Sequence, residues 1–131
     1  VIQVIQSAMA QSLPAKNIII ASTFHSDDLN IFAASCTPAI KIISGNWKSP
    51  HAALCDIAQS VSDAFIFFVP TNRIIDPDIL LQGAKSMDLR PTCKSIRLEG
   101  VHPDQQYILE FIDEDSVIGF PMLIRTSALS H

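Results

Sequence analysis

The sequence predicts a single α/β domain with a mainly parallel central sheet and a C-terminal portion of mixed or antiparallel strands. The chain has 131 residues, which is within the usual size of one domain. Hydrophobic residues make up 48% of it and charged residues only 17%, which suits a sheet that is buried on both faces. Helix-like and strand-like segments alternate over the first ninety residues, an order typical of parallel strands joined by right-handed crossovers.

The first elements of this alternation are a helix, a strand and a second helix. Apolar residues recur at every fourth position from Val1, and Pro14 closes the predicted helix. Residues 17–21 are a β-branched run that predicts a buried strand. Ser26 is well placed to cap a helix over residues 27–35, because two aspartates in its first turn complement the helix dipole.

Two more strands and two more helices complete the parallel portion. Residues 39–44 predict a second strand, and residues 51–61 a helix with one apolar face. Residues 64–69 (AFIFFV) are the most apolar strand, so we expect them at the centre of the sheet. Asp76 and Pro77 are the residue types preferred at the start of a helix, which we expect to reach about Met87.

The chain changes character after Pro91. Three shorter strand-like segments follow, separated by glycine and proline, and they predict the mixed or antiparallel portion; they are residues 94–100, 106–112 and 120–128. We find no internal repeat and no low-complexity tract.

Composition also excludes several classes of function. Nine basic against thirteen acidic side chains give a formal charge of −4, and no basic stripe is present, so nucleic-acid binding is not expected. The longest apolar run is too short to cross a bilayer, and the chain does not start like a signal peptide. Cys36, Cys55 and Cys93 fit neither a disulfide framework nor a CxxC metal site. We therefore expect a cytoplasmic protein with reduced thiols and no membrane span.

Five segments carry a resemblance to a known family. Four of them follow one another in the family's order and at similar spacing: AQSLP (10–14), IIIASTFHSDD (18–28), KIISGN (41–46) and SDAFIFFVPTNRIIDPDIL (62–80). The fifth, GFPMLIRTSAL (119–129), comes later in the chain. The first four, which cover about two thirds of the chain, resemble the inverting glycosyltransferases of family two. The fifth is similar to the family's acceptor-side strand.

The resemblance implies a fold and an activity. The fold would be the three-layer sandwich of the GT-A type, with residues 1–90 as the nucleotide-binding half and residues 91–131 as the acceptor-side strands of one domain. The activity would be transfer of a sugar from a nucleotide-sugar donor. The family also has a first strand, which would precede Val1, and a general base, which would follow His131. The chain is therefore expected to be either a piece of a longer protein or a shrunken relative.

The chain departs from the family where the family carries acidic motifs. Ser22 and Thr23 stand in place of the acidic pair that contacts the nucleotide, and residues 70–72 (PTN) stand in place of the metal-binding DxD. A departing nucleoside diphosphate needs a cation, which in turn needs hard oxygen ligands. The resemblance thus implies Mn²⁺ or Mg²⁺ as a possible cofactor whose usual ligands are absent, and an enzyme with weak or no activity as this chain.

The candidate binding residues follow three strands. Ligands of open α/β sheets bind beyond the carboxyl ends of the strands, so the loops at 22–28, 45–49 and 70–73 should converge on one crevice. Six side chains there are candidates for binding a nucleotide through hydrogen bonds, with the last opposing a phosphate: Thr23, His25, Asp27, Asn46, Asn72 and Arg73. The alternative for the first loop is a simple helix cap, which Ser26 and the two aspartates favour.

Further candidates each have a plainer alternative. The acidic cluster with Asp113 and Asp115 is a weak candidate for the catalytic base of an inverting transfer, but a solvated turn is the more common role of such a run. Trp47 is suited either to stack on a ring of the ligand or to cover the sheet edge. Cys55 lies in an apolar helical stretch, where a buried inert thiol is more common than a nucleophile.

These observations lead to two main hypotheses and one further alternative. The first is a glycosyltransferase-like domain that recognises a nucleotide sugar. The second is a non-catalytic GT-A-like module, a pseudoenzyme, that binds a protein partner or a glycan. The third is an unrelated α/β domain with the same element order. Self-association through an open sheet edge is also plausible.

Overall fold

The computed structural model describes residues 2–37, 40–117 and 119–129, which form a small α/β protein with two sheets. In chain order the elements are α1 (Ile2–Met9), β1 (Ile19–Ser22), α2 (Asp27–Ser35), β2 (Lys41–Ser44), α3 (Pro50–Ala58), β3 (Phe65–Phe68), α4 (Ile79–Asp88), β4 (Ser95–Leu98), β5 (Gln106–Leu109) and β6 (Met122–Arg125). Short 3₁₀-helices occur at Pro103–Gln105 and Thr126–Leu129. The predicted alternation of helices and strands is confirmed. Val1 and Ala39, assigned above to the first helix and the second strand, lie outside the described residues.

Side-chain caps fix the starts of two helices. The Ser26 hydroxyl accepts a hydrogen bond of 3.3 Å from the Leu29 amide and fixes the start of α2. The helix covers the predicted residues 27–35. The Ser49 hydroxyl caps α3 in the same way, at 3.1 Å from the Ala52 amide. The start of α4 is later than predicted, because the Asp76 carboxylate instead accepts from the Asp78 amide at 2.9 Å and forms a turn ahead of the helix.

The first helix is shorter than predicted. It ends at Met9, well before Pro14, and leaves Leu13 outside the helix and 38% exposed. The Gln11 side chain explains the early end, because it donates to the Asp76 carbonyl at 2.7 Å and accepts from the Leu80 amide at 3.0 Å. These bonds hold the chain after α1 against the start of α4.

The smaller sheet is the parallel one. Strands β1 and β2 pair in parallel from Ile19 opposite Lys41 to Ser22 opposite Ser44. Its core consists of Ile5, Ala33 and Ile40, contributed by α1, α2 and the segment before β2. The predicted parallel pairing of these two strands, with a helix between them, is therefore confirmed.

The larger sheet is antiparallel throughout. Its strand order is β3-β6-β4-β5, and each neighbouring pair is antiparallel. The predictions of a mainly parallel central sheet and of a central position for residues 64–69 are wrong, because within the described part of the chain β3 is an end strand, antiparallel to β6. Side chains of β3 pack partly on both faces of the sheet, Phe67 on one and Ile66 and Phe68 on the other. Such packing explains an apolar run but does not determine strand direction. The antiparallel C-terminal portion is confirmed.

Helices cover both faces of the larger sheet. On one face α4 packs against Leu98 and Leu123 through Met87. Gly83 allows this close approach, since a Cβ there would lie 2.9 Å from the Leu98 side chain. On the other face α3 supplies Leu54, which packs with the buried Met122 and Ile124.

Contacts at the strand starts join the two sheets. The Lys16 ammonium group lies 3.8 Å from the Asp63 carboxylate, and these residues precede β1 and β3. Strands β1 and β3 therefore begin on the same side of the molecule. Helix α1 adds to the link, because the Ile75 amide donates to the Ser7 hydroxyl at 3.2 Å.

All the helices are short. The longest, α4, has ten residues. Among the helices that the structure describes, none has the length and apolar character needed to cross a membrane.

Candidate functional site

The candidate site forms at the carboxyl ends of β3 and β4 on the larger sheet. Arg97 of β4 is paired with Tyr107 of β5 on one side and with Met122 of β6 on the other. Paired residues of an antiparallel ladder project to the same face. Phe120 precedes β6, and the loop after β3 carries Asn72 and Arg73 to the same end of the sheet.

Four side chains form a row in which guanidinium groups alternate with aromatic rings. The Arg73 guanidinium carbon lies 4.4 Å from the centre of the Phe120 ring. The Arg97 guanidinium carbon lies 5.8 Å from the same centre and 5.2 Å from the centre of the Tyr107 ring. We call Arg73, Phe120, Arg97 and Tyr107 the arginine–aromatic row. Each such contact is worth about 0.5–1 kcal/mol at an exposed position, so the rings restrict where both cations can lie.

The two arginines differ in their acidic partners. Arg97 Nη2 lies 3.2 Å from Glu99 Oε1, and both side chains are about three-quarters buried, with 24% and 27% exposed. Arg73 is exposed, and none of the carboxylates that the structure describes lies within ion-pair distance of it. The positive charge of Arg73 is therefore free to meet an anion from solution.

A glycine lets Asn72 reach this end of the sheet. A Cβ on Gly119 would lie 2.8 Å from Asn72 Nδ2, closer than a real Cβ tolerates. Asn72 thus packs directly on the backbone before Phe120. Two of the predicted site residues, Asn72 and Arg73, are brought together here with residues from the other half of the chain.

Sequence reasoning missed Arg97, Phe120 and Tyr107. One signal was available, since Arg97 interrupts the otherwise apolar end of strand β4, whose four residues are at least half buried. A charged residue at such a position needs a partner or a function. The contact with Phe120 joins segments far apart in the chain, and no local pattern predicts it.

The side chains at this site do not suit a divalent cation. Mg²⁺ and Mn²⁺ prefer carboxylate and other hard oxygen ligands, and the side chains of residues 70–73 offer one hydroxyl and one amide oxygen, with no carboxylate, beside a guanidinium that repels cations. Across residues 2–37, 40–117 and 119–129, no group of three His, Cys, Asp or Glu side chains is arranged to hold a metal ion. The chemistry of the row is that of an anion site.

The other two predicted loops meet at the end of the smaller sheet. The Gly45 amide donates to the Ser22 carbonyl at 3.1 Å, so residues 22–28 and 45–49 lie side by side as expected for parallel strands. None of the hydrogen bonds or ion pairs found within the described ranges joins them to Asn72 or Arg73. The predicted convergence therefore holds for the loops at 22–28 and 45–49. The third loop, at 70–73, lies at the end of the larger sheet.

Local hydrogen bonds organise the loop after β1. His25 Nε2 lies 2.7 Å from Asp27 Oδ1, and the Ser22 hydroxyl donates to the Phe24 carbonyl at 2.6 Å. Together with the Ser26 cap, these bonds make the loop a well-defined helix entry. Thr23 and Asn46 are both exposed, so their polar groups face solvent at this end of the smaller sheet.

Trp47 covers the adjoining loop. Its indole N–H donates to Asp56 of α3 at 2.9 Å, and its ring lies so close to Gly45 that a Cβ there would be 2.5 Å from a ring carbon. The indole is half buried in this position. Of the two roles considered for Trp47, the packing role describes what the side chain does in the structure.

The acidic segment forms a turn. Asp113 Oδ1 accepts from the Ser116 amide at 3.0 Å and from the Ser116 hydroxyl at 2.9 Å. These hydrogen bonds from Ser116 lower the pKa of Asp113 below its ordinary value. A lowered pKa makes a carboxylate a weaker general base, so the surroundings of Asp113 are those of a solvated turn. Asp115 is exposed in the same turn.

Cys55 lies beside a histidine on α3. Its sulfur is 3.4 Å from His51 Nε2, and that nitrogen is also 3.2 Å from the Ile112 carbonyl. One ring nitrogen cannot donate to the carbonyl and accept the thiol proton at the same time. Burial raises the pKa of the Cys55 thiol, which disfavours the reactive thiolate. The environment is that of a structural cysteine.

Comparisons with known proteins identify no relative. No protein-family model matches the chain, and no curated protein matches it significantly. The residues of the two sheet ends thus supply the basis for a functional proposal.

Proposed function

We propose that the chain is a GT-A-like domain that binds the diphosphate of a nucleotide sugar at the carboxyl end of β3. The observation that carries this proposal is the Arg73 guanidinium, held 4.4 Å from the centre of the Phe120 ring without a carboxylate partner among the described residues. Arg73 follows directly after the three residues that stand where the resembling family has its DxD. A permanent positive charge therefore occupies the region where that family uses carboxylates and a metal ion.

The chemistry of arginine supports a phosphate ligand. A guanidinium keeps its charge at all physiological pH values and presents paired N–H donors that match two phosphate oxygens. A ring that stacks on the guanidinium face leaves its N–H edge available. Fixed positive groups of this kind also stabilise charge on a departing diphosphate, so Arg73 is suited to act in place of a cation, with weak transfer activity or none.

Two features support the GT-A assignment, whereas the antiparallel pairing of the larger sheet departs from the mainly parallel sheet that the resemblance implies. Helices cover both faces of the larger sheet, and β1, β2 and β3 occur in the expected order along the chain. The proposal assigns the nucleoside to the end of the smaller sheet, and it therefore requires one nucleotide to span both sheet ends. Thr23, the His25–Asp27 pair and Asn46 are the side chains assigned to hydrogen bonds with the nucleoside.

Calorimetric titration with uridine diphosphate tests the proposal. We expect binding in the presence of EDTA, little change on adding Mn²⁺, and about tenfold or greater loss of affinity in Arg73→Gln, since a hydrogen bond to a charged group contributes about 1.5–3 kcal/mol. Arg90→Gln is the matched control, because Arg90 lies in the segment between α4 and the start of β4. Among the described residues, the one hydrogen bond found for its side chain is to the Ser86 carbonyl of α4. Absence of any binding at millimolar uridine diphosphate would reject the proposal.

A second function, a non-catalytic module that binds a glycan or a protein, is favoured by one observation. Phe24, in the loop after β1, is 68% exposed, and an exposed aromatic ring is suited to stack on a sugar or to anchor a partner. Under this alternative, Phe24→Ser abolishes binding of oligosaccharide or partner while uridine diphosphate has no effect on the protein. Retained uridine diphosphate binding in Phe24→Ser, with its loss in Arg73→Gln, decides for the first function.

A further inference from the structure

We propose that Arg97 is a second anion-binding residue, and that Arg73 and Arg97 together hold a ligand of the diphosphate class. This inference rests on the proposed function in one respect, the assignment of Arg73 to a phosphate. Arg97 is contributed by β4, in the part of the chain that the family resemblance assigns to the acceptor side. The proposal therefore makes the diphosphate site a product of both halves of the fold.

Both guanidinium groups border the Phe120 ring. Both guanidinium carbons contact the same ring, at 4.4 Å and 5.8 Å from its centre. The two carbons are therefore no farther apart than the sum of these distances. A diphosphate has two charged groups joined by one bridging oxygen, so under this proposal each arginine pairs with a phosphate group of its own, whereas a single phosphate satisfies only part of the pair.

The hydrogen bonds of Arg97 are incomplete. Its Nη2 pairs with Glu99, but its Nε is buried and has no hydrogen-bond partner among the described residues. An unsatisfied buried donor is unfavourable, and it becomes more so on a charged group. A second acceptor near this guanidinium, brought by a ligand, would let Arg97 reorient and use the donors that Glu99 leaves free.

Tyr107 and Phe120 position Arg97 before any ligand arrives. The guanidinium carbon lies within 6 Å of both ring centres. Stacking of this kind reduces the side-chain entropy that a flexible arginine loses on binding. Phe120 and Tyr107 are thus positioning residues, while Arg73 and Arg97 touch the ligand.

Inorganic pyrophosphate, titrated by calorimetry in EDTA, is the direct probe. We expect the unaltered chain to bind it more tightly than orthophosphate, and Arg73→Gln and Arg97→Gln each to lose about tenfold or more in affinity. The double variant should lose less than the sum of the two single losses, since both residues hold the same ligand. Arg97→Lys keeps the positive charge but lacks the planar guanidinium. This variant should fold even if Arg97→Gln does not, and it should bind pyrophosphate more weakly than the unaltered chain.

Glu99→Gln should change the affinity for pyrophosphate in the opposite direction. The Glu99 carboxylate competes with a ligand for Arg97 and repels an anion, so its removal should tighten pyrophosphate binding several-fold and steepen the dependence of affinity on salt. A merely structural role of the Arg97–Glu99 pair would give weaker or unchanged binding. Arg90→Gln, at the opposite end of β4, should bind like the unaltered chain.

The outcomes separate this inference from the proposed function. Pyrophosphate affinity that is unchanged in both Arg97 variants, or the absence of pyrophosphate binding, overturns the two-arginine site. A different result would keep the two-arginine site and reject the nucleotide-sugar function. In that result, pyrophosphate binding needs both arginines, uridine diphosphate binds no more tightly than pyrophosphate, and uridine alone does not bind.

Discussion

The ends of the two sheets are built in different ways. At the end of the smaller sheet, residues 22–28 are ordered by bonds between near neighbours, such as His25 to Asp27 and Ser26 to Leu29. At the end of the larger sheet, Arg73, Arg97 and Phe120 come from three distant segments and meet only because β3, β4 and β6 pair. A short sequence pattern can encode the first arrangement, whereas the second exists only in the folded chain.

If the larger sheet contributes most of the stability, substitutions in its core should lower the free energy of unfolding the most. Leu98 is fully buried between α4 and β6, so Leu98→Ala should lower the free energy of unfolding by about 2–5 kcal/mol. Ile42→Ala, on the half-buried face of the smaller sheet, should cost less. Urea unfolding of both variants measures this difference. An equal or larger loss in Ile42→Ala would reverse the comparison.

Because hydrogen bonds between near neighbours order the end of the smaller sheet, loss of one such bond should lower the stability by a moderate amount. Ser26→Ala removes the α2 cap and should lower the free energy of unfolding by about 1 kcal/mol. Ser49→Ala removes the matching cap of α3 and should cost a similar amount. Thermal or urea unfolding of the two variants would show whether both caps contribute. A Ser26 variant as stable as the unaltered chain would mean that the cap hydrogen bond is not what holds this loop.

We expect the smallest effect on stability in the acidic turn, which is also held by hydrogen bonds between near neighbours. Hydrogen bonds from Ser116 lower the pKa of Asp113, so Ser116→Ala should raise that pKa toward the ordinary value of an aspartate. An NMR titration of the carboxyl carbon measures it, with Ser60→Ala as a control in a distant helix end. A pKa that is the same in Ser116→Ala as in the unaltered chain would assign the shift to the backbone amides instead of the hydroxyl.

The sign of the associated pH dependence follows from the direction of that shift. Because the pKa of Asp113 is lower in the folded chain, its contribution to stability is present above the ordinary pKa of an aspartate. This contribution is lost as the pH falls through the lowered value. In Ser116→Ala the stability should depend less on pH in this acidic range, since loss of the hydroxyl hydrogen bond brings the folded pKa closer to the unfolded one.

Local chemistry also explains how much of the fold the sequence predicts. The bounds of α2 follow from Ser26 and the two aspartates after it, since these groups act within one helical turn. The strand at β3 was recognised by its apolar run, but its direction was not. Direction is set by β6, which lies about fifty residues later in the chain, and no property of the β3 run itself depends on it.

The candidate site likewise contains residues that the sequence predicts and residues that it does not. Asn72 and Arg73 were predicted because polar residues that follow a buried strand lie at a sheet end. Phe120 and Tyr107 gave no such signal, since aromatic residues near strand ends are usually packed in the core. Their role depends on Arg97, which reaches both rings only once β4 lies between β5 and β6.

The central claim is that a ligand's diphosphate meets the guanidinium of Arg73 at the end of the larger sheet. NMR signals of the arginine side-chain Nε–H groups, followed while uridine diphosphate is added in EDTA, test it most directly. We expect the signal of Arg73 to move with saturable dependence on ligand concentration, and the signal of Arg90 not to move. An unmoved Arg73 signal, or equal shifts in both arginines, would contradict it.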